Sequence, residues 1–332
     1  MKLASLKQGG RDGTLIVVSR DLTRAVRASD SAPTLQAALE DWSNAAPRLN
    51  RVYELLNASH AQTINGEEVF ALDPAALAAP LPRAYEFVDG SAYLPHVERV
   101  RRARGAEVPE SFYTDPLMYQ ATSAGFYGPR DPILAASEDW GIDLEAEVVV
   151  VTDDVPMGVS AQAAEAHIQL VGLVNDVSLR NLIPPELAKG FGFLQSKPRS
   201  ALSPVLATPD ELGDAWRDAK LHLAMRTWIN EKWFGEAEAG VDMQFSFAEL
   251  VAHAAKTRPL AAGTIVGSGT IANQDTAKGA SCLAEQRTVE ALRDGKPSTP
   301  FLKFGDRVKI DVTDAKGASV FGAIEQTVAK VD

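Results

Sequence analysis

The segment that decides the predicted fold is Asp143-Leu144-Glu145-Ala146-Glu147-Val148-Val149-Val150-Val151. Its four consecutive valines favour a β-strand, and Gly141 predicts a turn just before it. Side chains alternate between the two faces of a strand, so Glu145 and Glu147 are expected to share one face and to need a cation between them. The alternative interpretation of a bare Glu-x-Glu motif is a solvent-exposed acidic edge.

Outward from this strand, the chain predicts a β-rich α+β protein. Three short strands are expected within residues 3–28, followed by two helices, 34–47 and 47–59, that meet at Pro47. After the valine strand, a nearly continuous apolar strand covers 167–176, a hairpin turns at Asn230, and a helix covers 247–255. Further strands are predicted at 264–271, 288–293 and 307–313, whereas the arginine-rich stretch 99–104 predicts a helix with a basic face.

A Pro- and Ala-rich stretch at 73–82 is typical of a linker and predicts a domain boundary. We therefore expect a small N-terminal domain over 1–80 and a larger domain over 81–332. The alternation typical of βαβ units is absent from the sequence, and the glycines at 263–269 lack the lysine and the strand–helix context of a phosphate-binding loop.

Composition limits the partners of this chain. A net charge of −11 disfavours nucleic acid and anionic membrane surfaces, but a local basic pocket could still bind a small anionic substrate. A single cysteine, Cys282, excludes an intramolecular disulfide framework and fits a reducing cytoplasm. No apolar run is long enough for a signal peptide or a membrane span, so a cytoplasmic location is expected.

Acidic residues follow or end several predicted strands. If they converge, they form an oxygen-only site of the kind that Mg²⁺, Mn²⁺ or Ca²⁺ prefers, with Lys197 and Arg180 nearby to balance the charge. For Asp176 alone, a helix N-cap is the competing interpretation. The acidic residues concerned are Asp89, Glu145, Glu147 and Asp176.

At this point the sequence resembles the fumarylacetoacetate hydrolase family, over about residues 83–328. The motifs that carry the resemblance are Asp89 with His96, Glu145-Ala146-Glu147, Asn175-Asp176-Val177-Ser178-Leu179-Arg180, Phe193-Leu194-Gln195-Ser196-Lys197, and Gly267-Ser268-Gly269-Thr270-Ile271 followed by Glu285. The first 80 residues resemble the small domain of bacterial members. The resemblance implies a catalytic domain of mixed β-sandwich and β-roll type with a small N-terminal α+β domain.

The resemblance also implies roles for individual residues. Glu145, Glu147 and Asp176 match the family's metal ligands, and Asp89 matches a fourth ligand; Mg²⁺ is the expected ion, with Mn²⁺ and Ca²⁺ as alternatives. The implied catalytic residues are His96 as general base, Glu285 as the acid that orients either His96 or the attacking water, and Arg180 and Lys197 as oxyanion donors. The implied substrate-binding residues are Thr270 and either Tyr119 or Tyr127.

The activity that follows is metal-dependent hydrolysis of a C–C bond in a β-diketo acid. The expected substrate is fumarylacetoacetate, cleaved to fumarate and acetoacetate in tyrosine degradation, by a homodimer. Acylpyruvate hydrolysis, oxaloacetate decarboxylation and dienoate hydration or isomerisation are alternatives on the same site. A member without turnover and a plain β-rich binding protein are the competing hypotheses outside catalysis.

Three positions depart from the patterns of the family. Ile183 stands where animal-type members have glutamine, and Ser91 stands where they have tyrosine. Arg99 stands where shorter members have a glutamate that pairs with the histidine. The remaining histidines (His60, His167, His222 and His253) and Cys282 are predicted to be structural or exposed.

Overall fold

A computed structural model describes residues 1–103 and 107–331 of the protein. The first strands are β1 (Lys2–Leu6), β2 (Thr14–Val18), β3 (Arg24–Arg27), β4 (Thr63–Ile64), β5 (Glu67–Ala71), β6 (Phe87–Gly90), β7 (Met118–Gln120), β8 (Ile133–Ala135), β9 (Ile142–Asp143), β10 (Ala146–Thr152) and β11 (Ile168–Asn175). They continue as β12 (Ser178–Leu179), β13 (Ala201–Leu202), β14 (Leu206–Ala207), β15 (Trp216–Arg217), β16 (Lys220–Leu221), β17 (Ala224–Ile229), β18 (Lys232–Glu238), β19 (Ile265–Gly267), β20 (Arg307–Val312) and β21 (Ile324–Lys330).

The α-helices are shorter and lie between these strands. They are α1 (Leu35–Glu40), α2 (Trp42–Ala58), α3 (Leu94–Ala103), α4 (Ala161–Ala164), α5 (Ile183–Leu187), α6 (Pro209–Leu212), α7 (Phe247–Ala254) and α8 (Leu283–Asp294). The predicted β-rich α+β class is therefore confirmed. Among the described residues, no helix is long and apolar enough to cross a membrane.

The largest sheet among the described residues has twelve strands. Its order is β4-β5-β3-β2-β1-β14-β11-β10-β19-β6-β7, with β13 paired to β11. The sheet continues from the N-terminal strands into the rest of the chain because β1 pairs with β14, Leu3 opposite Leu206. The domain bounds 1–80 and 81–332 stay a prediction.

The valine strand β10 lies inside this sheet, between β11 and β19. Val148 and Val150 belong to one buried apolar cluster, whereas Val149 and Val151 belong to another. The first cluster also contains Ile310 of a five-stranded sheet, ordered β18-β17-β20-β21-β8, which packs over the large sheet. The second contains Leu49 of helix α2. Both faces of β10 are covered, which explains why its sequence is apolar at every valine position.

Two predicted elements are wrong. The N-terminal helices separate at Asp41, not at Pro47, which lies inside α2. Only one turn of α2 precedes this proline, so the missing N–H costs the helix a single hydrogen bond near its start. Residues 288–293, predicted as a strand, belong to helix α8. Cys282 caps that helix by accepting from the Glu285 N–H, and Gly295 closes it with a left-handed φ of 82°.

The basic helix predicted at 99–104 is confirmed as part of α3 up to residue 103, whereas Arg104 lies outside the described residues. The hairpin predicted across Asn230 is also confirmed. Asn230 and Glu231 both adopt positive φ angles, 51° and 67°, between β17 and β18. Such paired left-handed residues match the twist of a tight hairpin.

Candidate active site and metal centre

Three buried carboxylates meet where neighbouring strands of the large sheet run side by side. Asp89 lies on β6, Glu147 on β10, and Asp176 directly follows β11. Strand β19 separates β6 from β10, and its Gly267 pairs with Asp89. A Cβ atom at Gly267 would lie 2.2 Å from Asp89 Oδ1 and 3.3 Å from Glu147 Oε2. Glycine at this position therefore leaves the space in which the carboxylates converge.

The donor set of these residues fits a divalent cation. Ligand oxygens of Asp89, Glu147 and Asp176 lie within 4.8 Å of one another, and all three side chains are buried. Neither oxygen of Glu147 has a hydrogen-bond partner among the described residues. Burial, reinforced by the Asp89 and Asp176 charges, raises the pKa of Glu147 far above its usual value. Enclosed carboxylates with unmet acceptors are the environment in which hard cations bind.

Metal addition is expected to stabilise the protein more at about pH 8 than at about pH 5.5. Burial, followed by the charge of Asp176, raises the pKa of Asp89 to about 7. The metal-free folded protein thus holds a proton that the unfolded chain releases, and its stability falls as pH rises from about 4 to about 7. A cation that binds the ionised carboxylates removes that cost. At 100 times its Kd the ion contributes about 2.7 kcal/mol, or about 5 °C in Tm.

Thermal unfolding with Mn²⁺ or with EDTA at both pH values measures this difference. Asp89→Asn is the matched control, because asparagine cannot titrate and should remove the contribution of residue 89 to the pH dependence of the metal-free protein. An equal rise in Tm at both pH values would contradict the prediction.

Glu145, the other half of the Glu-x-Glu motif, is not part of the three-carboxylate group among the described residues. Its Oε1 accepts hydrogen bonds from Lys197 Nζ at 2.7 Å and from Ser178 Oγ, and its Oε2 accepts one from Thr270 Oγ1. Burial opposes ionisation, but the charges of Arg180 and Lys197 outweigh it and hold the pKa of Glu145 well below its usual value. Glu145 is thus an ionised anchor for two cations, and its role as a metal ligand stays a prediction.

The two predicted cations, Lys197 and Arg180, each contact Glu145 and one further carboxylate. Lys197 Nζ donates to Asp176 Oδ2 at 2.6 Å as well as to Glu145. Arg180 Nε donates to Asp143 Oδ2 at 2.7 Å, and its Nη2 lies 3.2 Å from Glu145 Oε1. That Nη2 is buried and makes no hydrogen bond within the described part of the chain. It is therefore a cationic donor that a substrate oxygen could satisfy.

Asp143 is a site residue that the sequence analysis missed. Its fully buried carboxylate accepts the backbone N–H groups of Leu283 at 2.7 Å and Ala284 at 2.9 Å, at the start of helix α8. Because it also holds Arg180, Asp143 joins the helix that carries Glu285 to an oxyanion donor. A carboxylate next to a Glu-x-Glu motif was the available signal, but nothing local identifies its partners.

His96 and Glu285 face each other from helices α3 and α8. His96 Nδ1 is hydrogen-bonded to Glu285 Oε2. On the other side, Arg99 Nη1 donates to Glu285 Oε1 and Arg99 Nη2 donates to the Asn273 carbonyl at 2.6 Å. Burial opposes the ionisation of Glu285, but His96 and Arg99 outweigh it and lower its pKa. Glu285 is therefore an ionised carboxylate that fixes the orientation of the imidazole.

In the sequence, Arg99 was notable only because shorter family members have a glutamate at this position. Arg99→Leu is expected to lower kcat by roughly 10- to 100-fold, because hydrogen bonds to charged groups are worth about 1.5–3 kcal/mol. Loss of the guanidinium also raises the pKa of Glu285, so the acidic limb of the pH–rate profile should move to higher pH. Steady-state kinetics across pH measure both effects.

Arg99→Lys keeps the charge and should restore part of the rate. Arg102→Leu, an exposed position on the same helix, is the control and should leave the profile unchanged. A pH profile of Arg99→Leu that overlays the parent profile would rule out this positioning role.

The structure brings one of the two candidate tyrosines to the site. Tyr119 lines the cavity, donates to Asp176 Oδ2 at 2.6 Å, and packs edge-on against Phe193 with ring centroids 4.7 Å apart. Tyr127 instead lies beside Ala201, with the Arg199 guanidinium 5.9 Å from its ring centroid. Thr270 also lines the cavity, and its role as a substrate contact stays a prediction.

Part of this group lines one cavity of about 410 Å³. The acidic, basic and histidine side chains in its lining are Asp89, His96, Glu145, Arg180 and Lys197. Cys282 is buried, and burial raises the pKa of its thiol well above the usual value, which agrees with an inert thiol. His167 pairs with Asp153 at 2.7 Å, apart from the cavity lining.

Two family models together match almost the whole chain. The model described as fumarylacetoacetate (FAA) hydrolase C-terminal matches residues 86–329, and that described as fumarylacetoacetase N-terminal domain 2 matches residues 1–83. The protein belongs to the fumarylacetoacetate hydrolase family. This confirms the resemblance inferred from the motifs.

Similar proteins carry the names of different reactions. The protein is 25% identical over 254 residues to oxaloacetate tautomerase YisK of Bacillus subtilis (strain 168), which covers 75% of this chain and 72% of the relative. Two solved structures share its fold over 100% of both chains. They are the fumarylacetoacetate hydrolase of Exiguobacterium antarcticum, at 16% identity and a TM-score of 0.66, and the maleylpyruvate hydrolase of Sphingobium sp. SYK-6 in complex with manganese(II) and pyruvate, at 15% identity and a TM-score of 0.65.

Proposed function

We propose that this family member is a divalent-metal-dependent hydrolase that cleaves the C3–C4 bond of a 2,4-dioxo acid, that is, an acylpyruvate. The observation that carries the proposal is His96, which is held by Glu285 and lines a cavity that also reaches Asp89 of the carboxylate group. Hydrolysis of such a bond needs a base for water and a site that accepts the electron pair of the broken bond. The cavity offers residues for both tasks.

Asp89, Glu147 and Asp176 would hold the divalent ion. An ion held there would supply Lewis-acid chemistry to the 2-oxo acid end of the substrate. Because His96 Nδ1 is engaged by Glu285, its Nε2 is the atom that takes a proton from the attacking water. Glu285 holds the ring in place and stabilises the positive charge that the ring then carries.

The remaining steps follow from this proton transfer. The water oxygen adds to C4, and the oxyanion on C4 faces the donors Arg180 Nη2 and Lys197 Nζ. The C3–C4 bond then breaks, and its electron pair moves into the enolate of pyruvate. A proton returned by His96 to C3 gives pyruvate, and the acyl group leaves as a carboxylate.

A substrate panel tests the proposal with the Mn²⁺-loaded protein. Acetylpyruvate should give equal amounts of pyruvate and acetate by ¹H NMR. Fumarylacetoacetate, the substrate expected from the sequence, belongs in the panel because its 1,3-dioxo unit could be cleaved by the same steps to fumarate and acetoacetate. If no member of the panel loses a C–C bond to water, the hydrolase proposal is wrong.

Keto–enol tautomerisation of oxaloacetate is the second candidate, favoured by the 25% identity to a protein named as an oxaloacetate tautomerase. On this alternative, His96 would move a proton between C3 and the enol oxygen, and no C–C bond would break. Decay of the enol absorbance of freshly dissolved oxaloacetate distinguishes the two, because tautomerisation leaves the carbon skeleton intact. The hydratase and isomerase alternatives would likewise give products without C–C cleavage.

A further inference from the structure

Two chemically different sets of residues line the cavity beside the carboxylate group, and they are called here the charged wall and the apolar wall. The charged wall consists of Asp89, His96, Glu145, Arg180 and Lys197. The proposed mechanism uses all of these except Glu145, which holds the two cations. The apolar wall consists of Leu117, Met118, Ile183, Leu187 and Phe193, which the mechanism does not use. The second set is left for the part of the substrate beyond C4, because the proposed mechanism places the dioxo acid against the first set.

Hydrogen bonds hold together two segments that form the apolar wall. Ile183 and Leu187 lie on helix α5. The same helix carries Glu186, whose side chain is buried. The Glu186 carboxylate accepts the backbone N–H groups of Leu194 at 3.1 Å and Gln195 at 2.7 Å. These bonds tie helix α5 to the segment that carries Phe193. Leu187 and Leu117 keep 45% and 42% of their surface exposed, so apolar area remains for a ligand to cover.

The charged wall offers little for a second substrate carboxylate. Lys197 already bridges Glu145 and Asp176, and Arg180 is held by Asp143 and Glu145. Among the described residues that line the cavity, these are the only lysine or arginine side chains. A carboxylate placed against the apolar wall would lose hydration without gaining a cation.

From this arrangement we infer that the protein selects acylpyruvates whose acyl group is an uncharged aliphatic chain, and that it discriminates against 2-oxo acids with a second carboxylate at the far end. The inference rests on the proposed function for the placement of the dioxo acid. Ile183, Leu187 and Phe193 are the specificity-determining residues. Each methylene that the apolar wall covers is expected to raise kcat/KM by roughly 4-fold.

Two matched ligand pairs test this with the Mn²⁺-loaded protein. Hydrolysis of 2,4-dioxooctanoate is compared with that of 2,4-dioxooctanedioate, and calorimetry compares binding of the unreactive 2-oxooctanoate and 2-oxooctanedioate. The monocarboxylate should be preferred by about 100-fold in each pair. Ile183→Arg places a cation on the apolar wall and should improve 2-oxooctanedioate binding at least about 10-fold. Leu134→Arg, on the distant strand β8, is the control.

The two readouts separate the two proposals. Preferential binding of 2-oxooctanoate without any hydrolysis would leave the apolar subsite standing and overturn the hydrolase assignment. Equal or tighter binding of 2-oxooctanedioate would overturn the apolar subsite even if both dioxo acids were hydrolysed. Failure of both 2-oxo acids to bind would overturn it as well.

Discussion

Replacing His96 with glutamine is expected to lower kcat for C–C cleavage by roughly 10²- to 10⁴-fold, the range that general acid–base catalysis contributes. The reason is geometric: His96 lines the cavity and meets Glu285 through Nδ1, which leaves Nε2 as the ring nitrogen that can take the proton. Glutamine can hydrogen-bond to Glu285 but cannot take a proton from water near neutral pH. Single-turnover kinetics on the best substrate of the panel measure the chemical step.

His60→Gln is the control, because His60 is exposed and outside the cavity lining. Binding of 2-oxooctanoate to His96→Gln should stay within a few-fold of the parent value, which separates loss of chemistry from loss of the site. Unaltered product formation by His96→Gln would exclude this histidine as the base.

The second large effect is expected for Glu147→Gln, which should weaken Mn²⁺ binding by more than about 100-fold. The substitution removes the charge of a carboxylate in the three-carboxylate group whose two buried oxygens have no hydrogen-bond partner in residues 1–103 and 107–331. The metal-free variant should nevertheless be as stable as the parent at about pH 8, or more stable. Burial raises the pKa of Glu147 well above its usual value, so the neutral amide matches the form that the metal-free fold prefers.

Glu145→Gln provides the contrast two residues away. Glu145 is held ionised by Lys197 and Arg180, so its neutral replacement leaves buried cations under-compensated and should lower Tm with or without metal. Calorimetric titration with Mn²⁺ and thermal unfolding of both variants measure these differences. Equal metal affinity in Glu147→Gln and the parent would exclude Glu147 as a ligand.

Much of the site was predictable because its residues stand at the ends of recognisable strands. The valine run of β10 and the apolar run of β11 are covered on both faces, and strands of that kind are readable from composition alone. Once these strands are recognised, Glu147 and Asp176 can be placed at their ends. The family resemblance then implied Lys197 and Arg180 as oxyanion donors, and the structure pairs both of them with Glu145.

The errors lie where local sequence gives an ambiguous signal. Residues 288–293 alternate enough to suggest a strand, yet α8 is fixed by its caps and by the Asp143 carboxylate at its first N–H groups. Asp143 lies 140 residues from Leu283, so no local pattern could report the contact. The sequence showed only that Arg99 departs from the family pattern. Its role could not be inferred, because its partner Glu285 lies on a different helix.

Strand patterning and motif order are local properties of the chain, so the fold class, the family and the types of side chain in the site could be inferred from the sequence. How the two glutamates of Glu-x-Glu divide their tasks depends instead on the folded arrangement of their neighbours. Glu147 lies beside Asp89 and Asp176 and has no hydrogen-bond partner among the described side chains and backbone, whereas Glu145 is neutralised by Lys197 and Arg180. That division depends on charges brought together from distant strands, and the free energy of a buried carboxylate depends on those neighbours far more than on its own position in the sequence.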